Sequence, residues 1–116
     1  MLRKGYTFDD VLLVPNYTGE LSRKDVTTET NLGNFQFGIP IIAANMDTVT
    51  GHEMARKMGE LGGLGILHRA MSIQENVEEF KKAYSPAFVG DRKIRIGGSI
   101  GANEREIERA EALYDS

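Results

Sequence analysis

The chain has 116 residues, 41% hydrophobic and 27% charged, proportions typical of a folded globular protein. Its formal net charge of −3 argues against nucleic acid and anionic membranes as partners, and no apolar run approaches the ~20 residues that cross a bilayer. Cysteine is absent, which excludes disulfides, thiolate metal sites and a cysteine nucleophile within these residues and fits a cytoplasmic protein.

Residues 1–38 are predicted to form an irregular arm that ends in a β-hairpin. An apolar patch around Asp9 and Asp10 opens the arm. Residues 25–31 then alternate polar and β-branched side chains, and the turn signal Gly33-Asn34 follows them. We expect this hairpin to cover one end of the core.

From residue 39 onward the pattern becomes a repeat of strands and helices. Short apolar and β-branched runs predict strands, and apolar residues three or four positions apart predict the helix after each. The predicted strands are residues 39–44, 64–67 and 93–99, and the predicted helices are 51–61, 73–83 and one capped by Asn103 with an apolar stripe at Ile107, Ala110 and Leu113. This βαβαβα order implies a parallel sheet with right-handed crossovers.

Two helix ends carry specific signals. Gly62 follows the first helix as a C-terminal capping glycine, and Ser72 with Glu75 forms a capping box before the second. Three βα units neither close a barrel nor cover both faces of an open sheet. We therefore expect residues 39–116 to be an incomplete domain from the N-terminal part of a longer protein.

Asn45, Met46 and Asp47 directly follow the first predicted strand. They indicate a candidate site, because loops that follow parallel strands carry the chemistry in strand–helix barrels. The glycine-rich run at 97–101 has the composition of a phosphate-binding loop, but it lacks the P-loop lysine and the dinucleotide spacing. The charges at 104–111 predict a solvated helix face. His68 follows a strand and is predicted to pack as a core histidine.

Three segments together resemble the IMP dehydrogenase/GMP reductase family: YTFDDVLLVP at 6–15, IPIIAANMDTV at 39–49 and GGLGILHRAMS at 62–72. They occur in the family's order and spacing. The resemblance implies a (β/α)8 TIM barrel, in which residues 39–116 would be the first three βα units and 1–38 an N-terminal arm. It also implies purine nucleotide substrates, a nicotinamide cofactor and a homotetramer.

Within the family, three features resemble GMP reductase: Asn45 in AANMDTV, the Ser22-Arg23 pair, and the short path between the second helix and third strand, where most IMP dehydrogenases insert two CBS modules. YTFDDVLLVP and GGLGILH read like the dehydrogenase branch. We expect NADPH-dependent reductive deamination of GMP to IMP. The alternatives are an NAD-dependent IMP dehydrogenase without CBS domains, and a truncated, non-catalytic paralogue that binds nucleotide or assembles with a full-length partner.

The resemblance assigns roles residue by residue. It places the family's cysteine nucleophile beyond this chain, so no catalytic residue is expected here and the segment alone should be inactive. Asn45 and Met46 match the nucleotide pocket, whereas Ser22, Arg23 and Arg69 match cofactor-contacting positions, with arginine at 69 where the family usually has lysine. No metal ligand is expected among these residues; a monovalent cation would be bound by downstream residues.

Overall fold

The computed structural model of the chain describes residues 4–19, 22–86, 88–90 and 92–116. Its strands are β1 (Thr30–Leu32), β2 (Phe35–Phe37), β3 (Ile42–Ala43), β4 (Leu64–Leu67), β5 (Phe88–Val89), β6 (Arg92–Lys93) and β7 (Ile96–Gly98). Its α-helices are α1 (His52–Glu60), α2 (Ile73–Tyr84) and α3 (Ile107–Tyr114). Short 3-10 turns occupy Phe8–Asp10, Arg23–Asp25 and Glu104–Glu106.

A parallel sheet of three strands, in the order β3-β4-β7, forms the centre of the fold. A helix follows each of these strands, which confirms the predicted α/β class and the parallel sheet. Leu67 on β4 is fully buried with Ala55 of α1 and Ala83 of α2, and Phe80 and Ile96 pack against them. The core therefore lies between the sheet and its helices.

Close approach of α1 to the sheet depends on Gly65 in β4. A Cβ built on Gly65 would collide with the Ala55 backbone, including its carbonyl oxygen at 2.7 Å. Ala55 is itself fully buried. Only a residue without a side chain allows this helix–strand contact, because the backbone of Ala55 has no rotamer by which to move away.

The predicted helix ends are confirmed. Gly62 has φ 90°, and the N–H groups of Gly62 and Gly63 donate to the carbonyls of Gly59 and Met58, which completes a Schellman motif at the end of α1. At the start of α2, the Ser72 hydroxyl accepts the Glu75 N–H while the Glu75 carboxylate accepts the Ser72 N–H. Both helices thus begin or end where the local sequence specifies.

Ser72→Ala is expected to lower the free energy of unfolding by about 1 kcal/mol, since the first turn of α2 loses its side-chain cap. Ser85→Ala, at the opposite end of the same helix, is the matched control and should change stability by less than about 0.5 kcal/mol. Denaturant titration of both variants measures the two values. Equal effects at Ser72 and Ser85 would contradict the capping role.

The predicted hairpin forms, but it is shorter than the pattern suggested. Residues 30–32 pair with 35–37 around Gly33, whose φ is 58°, and the first half of the predicted strand is irregular or 3-10. Phe37 is buried, and the Arg95 guanidinium lies over the rings of Phe35 and Phe37, 5.1 and 5.9 Å from their centroids. The hairpin therefore covers the amino ends of the central strands.

The apolar patch of the N-terminal arm is exposed. Phe8, Leu12 and Leu13 each expose more than nine-tenths of their surface, and Tyr17 does so as well. The 3-10 turn at Phe8–Asp10 is fixed instead by Thr7, whose N–H and hydroxyl donate to the Asp10 carboxylate. The arm is thus ordered by local polar contacts rather than by its apolar side chains.

Two predicted strands have different bounds. The first is confined to β3, and Pro40, which has no N–H for a ladder, lies outside it. The third is divided: Arg92–Lys93 pairs antiparallel with Phe88–Val89 around Gly90, which has φ 59°, and Ile96–Gly98 alone joins the central sheet. The glycine turn diverts the chain into a separate hairpin before it enters the sheet.

The third helix also differs from its prediction. The Asn103 side chain makes no capping hydrogen bond, and a 3-10 turn precedes α3. Ile107, placed in the apolar stripe by the pattern, is 55% exposed, whereas Arg109 is 8% exposed. The helix therefore presents a charged residue to the interior.

Candidate functional site

The carboxyl edge of the central sheet brings together the loops that follow β3, β4 and β7. Binding sites of parallel α/β sheets lie at this edge, because the loops there meet while the strands below hold them in place. In this chain the edge carries Asn45 and Met46 after β3, His68 and Arg69 after β4, and Ser99 and Gly101 after β7.

The loop after β3 is held by a buried threonine. The Thr50 hydroxyl donates to the Ala44 carbonyl, and Thr50 is fully buried. The N–H groups of Val49 and Thr50 donate to the Met46 carbonyl at 3.0 and 2.9 Å. These bonds fix the backbone at residues 44–50 and leave the Met46 side chain 55% exposed.

A hydrogen bond crosses the end of the middle strand and joins the outer two loops. The Asn45 amide donates to the Ser99 hydroxyl at 2.8 Å, and the Ser99 N–H donates to the carbonyl of Leu67, the last residue of β4. Asn45, Ser99 and the neighbouring Met46 therefore form one continuous surface at the carboxyl edge.

The Glu106 carboxylate binds the polar groups around the glycine-rich loop. It accepts the Gly101 N–H at 3.2 Å and the Arg109 Nε–H at 3.0 Å, and it lies 3.7 Å from Arg69 Nη1. The Gly101 N–H, reinforced by the charges of Arg109 and Arg69, holds the pKa of Glu106 below its usual range against the opposing effect of burial. The place resembling a phosphate cradle is therefore filled by the chain's own carboxylate.

Arg109 connects α3 to α2 and to the loop after β4. Its guanidinium donates to Asn76 Oδ1 and to the Met71 carbonyl, both at 3.0 Å, in addition to Glu106. Asn76 is fully buried and donates in turn to the His68 carbonyl at 3.2 Å. The prediction of a solvated charged face is wrong for Glu106 and Arg109, since both take part in an interior network.

Two of the cofactor residues suggested by the family resemblance lie on the N-terminal arm and not in the loops of this edge. Ser22 and Arg23 lie exposed on the arm, where the Ser22 hydroxyl accepts the Lys24 N–H at 3.2 Å. Within the described ranges, no hydrogen bond or ion pair joins either residue to Asn45, Met46 or Arg69. Their cofactor role stays a prediction.

His68 differs from its expected core position. Its side chain is only partly buried, and its Nδ1 accepts the Ala70 N–H at 3.2 Å. This bond turns the imidazole back onto its own loop. Arg69 beside it exposes 49% of its side chain at the carboxyl edge.

Sequence reasoning missed Ser99, Asn76, Glu106 and Arg109. One of them carried a usable signal: Asn76 lies three residues after Ile73 and four before Phe80, at the spacing of the apolar stripe of α2. A polar residue at an apolar position requires a buried partner. The pattern thus indicated an interior polar contact without specifying Arg109.

The described part of the chain offers neither a metal-binding cluster nor a membrane-spanning helix. Residues 4–19, 22–86, 88–90 and 92–116 contain no group of three or more histidine, aspartate or glutamate side chains placed to hold a metal ion. In the same ranges, no helix has both the length and the apolar character needed to span a membrane.

Acidification is expected to weaken the Glu106 network. Because the pKa of Glu106 is lower in the folded state than the usual 4.5, its stabilising contribution is complete above 4.5 and is lost as the pH falls through the folded-state value. Thermal midpoints measured from about pH 7 to about pH 3 should therefore fall less in Glu106→Gln than in the unaltered protein. Glu104→Gln, an exposed change on the same turn, should follow the unaltered protein. If the thermal midpoint falls with pH equally in the unaltered protein, Glu106→Gln and Glu104→Gln, the prediction is contradicted.

The fold and the candidate site together define a class of protein: an α/β chain with a parallel sheet and a candidate binding site where the strands end. Comparison with known proteins makes the assignment finer. The profile of the IMP dehydrogenase / GMP reductase domain matches residues 5–116. The chain belongs to this family of purine nucleotide oxidoreductases.

Individual relatives agree with the family assignment. The chain is 52% identical over 77 residues, or 66% of its length, to an inosine-5'-monophosphate dehydrogenase from Methanocaldococcus jannaschii. It is 51% identical over 82 residues, or 70% of its length, to an inosine-5'-monophosphate dehydrogenase from Streptococcus pyogenes. The two matches span only 15% and 16% of the relatives' own lengths. The crystal structure of inosine 5' monophosphate dehydrogenase from Legionella pneumophila superposes with a TM-score of 0.75 and 46% identity, over 94% of this chain and 32% of that one.

Proposed function

We propose that the whole protein carrying this segment oxidises IMP with NAD, as an inosine-5'-monophosphate dehydrogenase. The observation that carries the proposal is the family match over a segment whose carboxyl edge presents Asn45, Met46 and Ser99 as one surface. Its relatives with about 50% identity bear the dehydrogenase name. The prediction that the chain lies closest to GMP reductase has no such support among them.

In this proposal the segment supplies part of the nucleotide pocket rather than the reacting groups. Met46 offers an exposed, polarizable side chain to the ribose and base, while its backbone is fixed by Thr50. Asn45 and Ser99 offer polar groups beside it. The nucleophile and acid–base residues belong to other parts of the enzyme, so the segment alone is inactive.

The proposal also includes the arrangement of the whole domain. The outer strands of the central sheet, β3 and β7, each pair with β4 alone within the described sheet, as strands of an unclosed barrel would. Residues 39–116 would be the first three βα units of a (β/α)8 TIM barrel, preceded by the arm at 1–38. Assembly as a homotetramer in the cytoplasm belongs to the same proposal.

Arg69 is suited to the anionic part of a nicotinamide dinucleotide. Its guanidinium is half exposed at the carboxyl edge, and Glu106 engages it on one side, which leaves further N–H donors for a diphosphate. The bound dinucleotide would supply hydride acceptance. For the NADPH-dependent alternative, Ser22 and Arg23 are proposed as contacts to the cofactor's 2′-phosphate, a group that NAD lacks.

A second candidate, NADPH-dependent GMP reductase, is favoured by a specific structural observation. The path from α2 to β7 is residues 85–95, a stretch too short to hold a CBS pair, and its described residues include the short β5–β6 hairpin. The wording AANMDTV around Asn45 points the same way. These features are compatible with a dehydrogenase that lacks CBS modules, so cofactor and substrate preference must separate the two activities.

The test supplies the whole protein with two substrate pairs, IMP with NAD and GMP with NADPH, and follows the dinucleotide's redox state. Turnover of the first pair supports the dehydrogenase, and turnover of the second supports the reductase. An intact, folded protein that turns over neither pair contradicts the proposed function and leaves the non-catalytic paralogue as the remaining reading.

Met46→Ala is expected to raise the KM for the purine nucleotide about tenfold, because the pocket loses apolar contact area worth about 1.4 kcal/mol. The KM for the dinucleotide should stay unchanged. Met54→Ala, which removes a partly exposed methionine from α1, serves as the control and should leave both KM values unchanged. An unaltered nucleotide KM in Met46→Ala would place the pocket elsewhere.

A further inference from the structure

The geometry around Gly101 points to a positioning role for Glu106. We propose that the Glu106 carboxylate holds the Arg69 guanidinium over Gly101, so that Arg69 presents its remaining donors to the diphosphate group of a bound dinucleotide. This inference rests on the proposed function, since it deepens how the carboxyl edge would bind its cofactor.

Exposure separates the two arginines that face Glu106. Arg109 is 8% exposed, and its donors are occupied by Glu106, Asn76 and the Met71 carbonyl. Arg69 exposes 49% of its side chain and has one described ionic partner, Glu106 at 3.7 Å. Of the two guanidinium groups, Arg69 is therefore the one that an incoming anion reaches.

Glycine at position 101 permits this arrangement. A Cβ built there would lie 2.7 Å from Glu106 Cγ and 2.9 Å from Arg69 Nη1, so both side chains pack directly on the Gly101 backbone. The Gly101 N–H donates to the same carboxylate at 3.2 Å. Arg69 is thus placed by a carboxylate that is itself anchored to the loop after β7.

The charges favour anion binding despite the carboxylate. Two guanidinium groups around one carboxylate leave a net charge of about +1 within the cluster. The Arg109–Glu106 pair is the more buried of the two ion pairs, so the uncompensated charge resides on the exposed Arg69. Glu106 therefore orients Arg69 without cancelling its attraction for a diphosphate.

A double-mutant cycle tests the inference in the whole protein. Kd values for NAD, NADPH and IMP are measured by calorimetry in the unaltered protein, Glu106→Gln, Arg69→Gln and the double variant, with Glu104→Gln as the exposed control. We expect each single variant to raise the Kd for the preferred dinucleotide about tenfold. The double variant should be no weaker than Arg69→Gln alone, because Glu106 acts through Arg69. IMP affinity should not change.

Glu106→Asp provides a second test if Glu106→Gln fails to fold. It retains the negative charge beside Arg109 but draws the carboxylate back by one methylene, so dinucleotide affinity should again fall about tenfold. Any of four results would overturn the inference. The first two are multiplicative losses of dinucleotide affinity in the double variant and equal losses of affinity for IMP and dinucleotide. The other two are unaltered dinucleotide affinity in both Glu106 variants and no dinucleotide binding by the unaltered protein.

These binding measurements require no turnover, which keeps the two proposals separable. A protein that binds dinucleotide with the expected coupling but converts neither substrate pair retains the Glu106 role and loses the proposed function. A protein that converts IMP but shows unaltered dinucleotide affinity in the Glu106 variants loses only the positioning role.

Discussion

Gly65→Ala is expected to prevent this part of the protein from folding stably. The added Cβ would overlap the backbone of Ala55 in α1, whose carbonyl oxygen and carbon lie 2.7 and 2.9 Å from the Cβ position. Relief requires moving α1 away from β4, which opens the core around Leu67. Because backbone atoms have no alternative rotamer, the cost should exceed about 3 kcal/mol.

Gly97→Ala is the matched control for this prediction. It adds the same methyl group to the neighbouring strand β7, where the Cβ would meet only the Ile66 side chain, 3.3 Å away. Yield of folded protein and thermal midpoint are measured for both variants. Gly97→Ala should fold with a modest loss of stability, and comparable behaviour of Gly65→Ala would show that the α1–β4 contact is looser than described.

Arg109→Met should produce the second large loss of stability. Methionine fills much of the same volume but removes the donor to Asn76 Oδ1 and to the Met71 carbonyl, and it leaves the Glu106 carboxylate with only the Gly101 N–H and the more distant Arg69. Removing one member of a buried charged network destabilises by about 3 kcal/mol, because the remaining polar groups stay desolvated. The thermal midpoint should fall by several degrees.

Arg105→Met is the control for Arg109→Met. Arg105 is exposed on the turn before α3, so its replacement should change stability by less than about 0.5 kcal/mol. Denaturant titration of the two variants gives the comparison. If Arg109→Met and Arg105→Met are equally stable, the hydrogen bonds of Arg109 contribute little to stability, because water would replace them at no large cost.

Capping residues and apolar spacing in the sequence predicted those helices and strands whose bounds depend on neighbouring residues. Strand β4 has the predicted bounds, and α1 and α2 begin and end within a residue of theirs. Ser72, Glu75 and Gly62 act within a few residues of themselves, so their roles can be read from spacing alone. The same holds for the hairpin around Gly33, although its strands proved shorter.

Long-range polar contacts could not be predicted in this way. Arg109 contacts Asn76 and Met71, which lie 33 and 38 residues earlier in the chain. Glu106 and Arg109, spaced three apart on a charged helix, have the same pattern as an ordinary solvated ion pair. Their burial depends on how α3 packs against α2, which the sequence pattern does not determine. The predicted third strand began at residue 93, and the structure divides it after Lys93 between the β5–β6 hairpin and the central sheet, so that only Ile96–Gly98 pairs with β4.

The candidate site was predicted in part. The strand–helix pattern placed Asn45 and Met46 in the loop after the first strand, where the structure has them, but it did not indicate that Ser99 joins Asn45 across β4. The choice between reductase and dehydrogenase rests on a few side chains, because both enzymes of the family would share this sheet. The fold therefore supports the family without selecting the reaction.

The most direct test of the central claim, that this carboxyl edge binds the purine nucleotide, is methyl NMR of the whole protein labelled at methionine. Titration with IMP should shift the Met46 methyl resonance, assigned with Met46→Leu, while Met54 and Met58 on α1 stay unchanged. Binding of IMP that leaves the Met46 resonance unmoved would contradict the account, because the nucleotide would then occupy a different part of the protein.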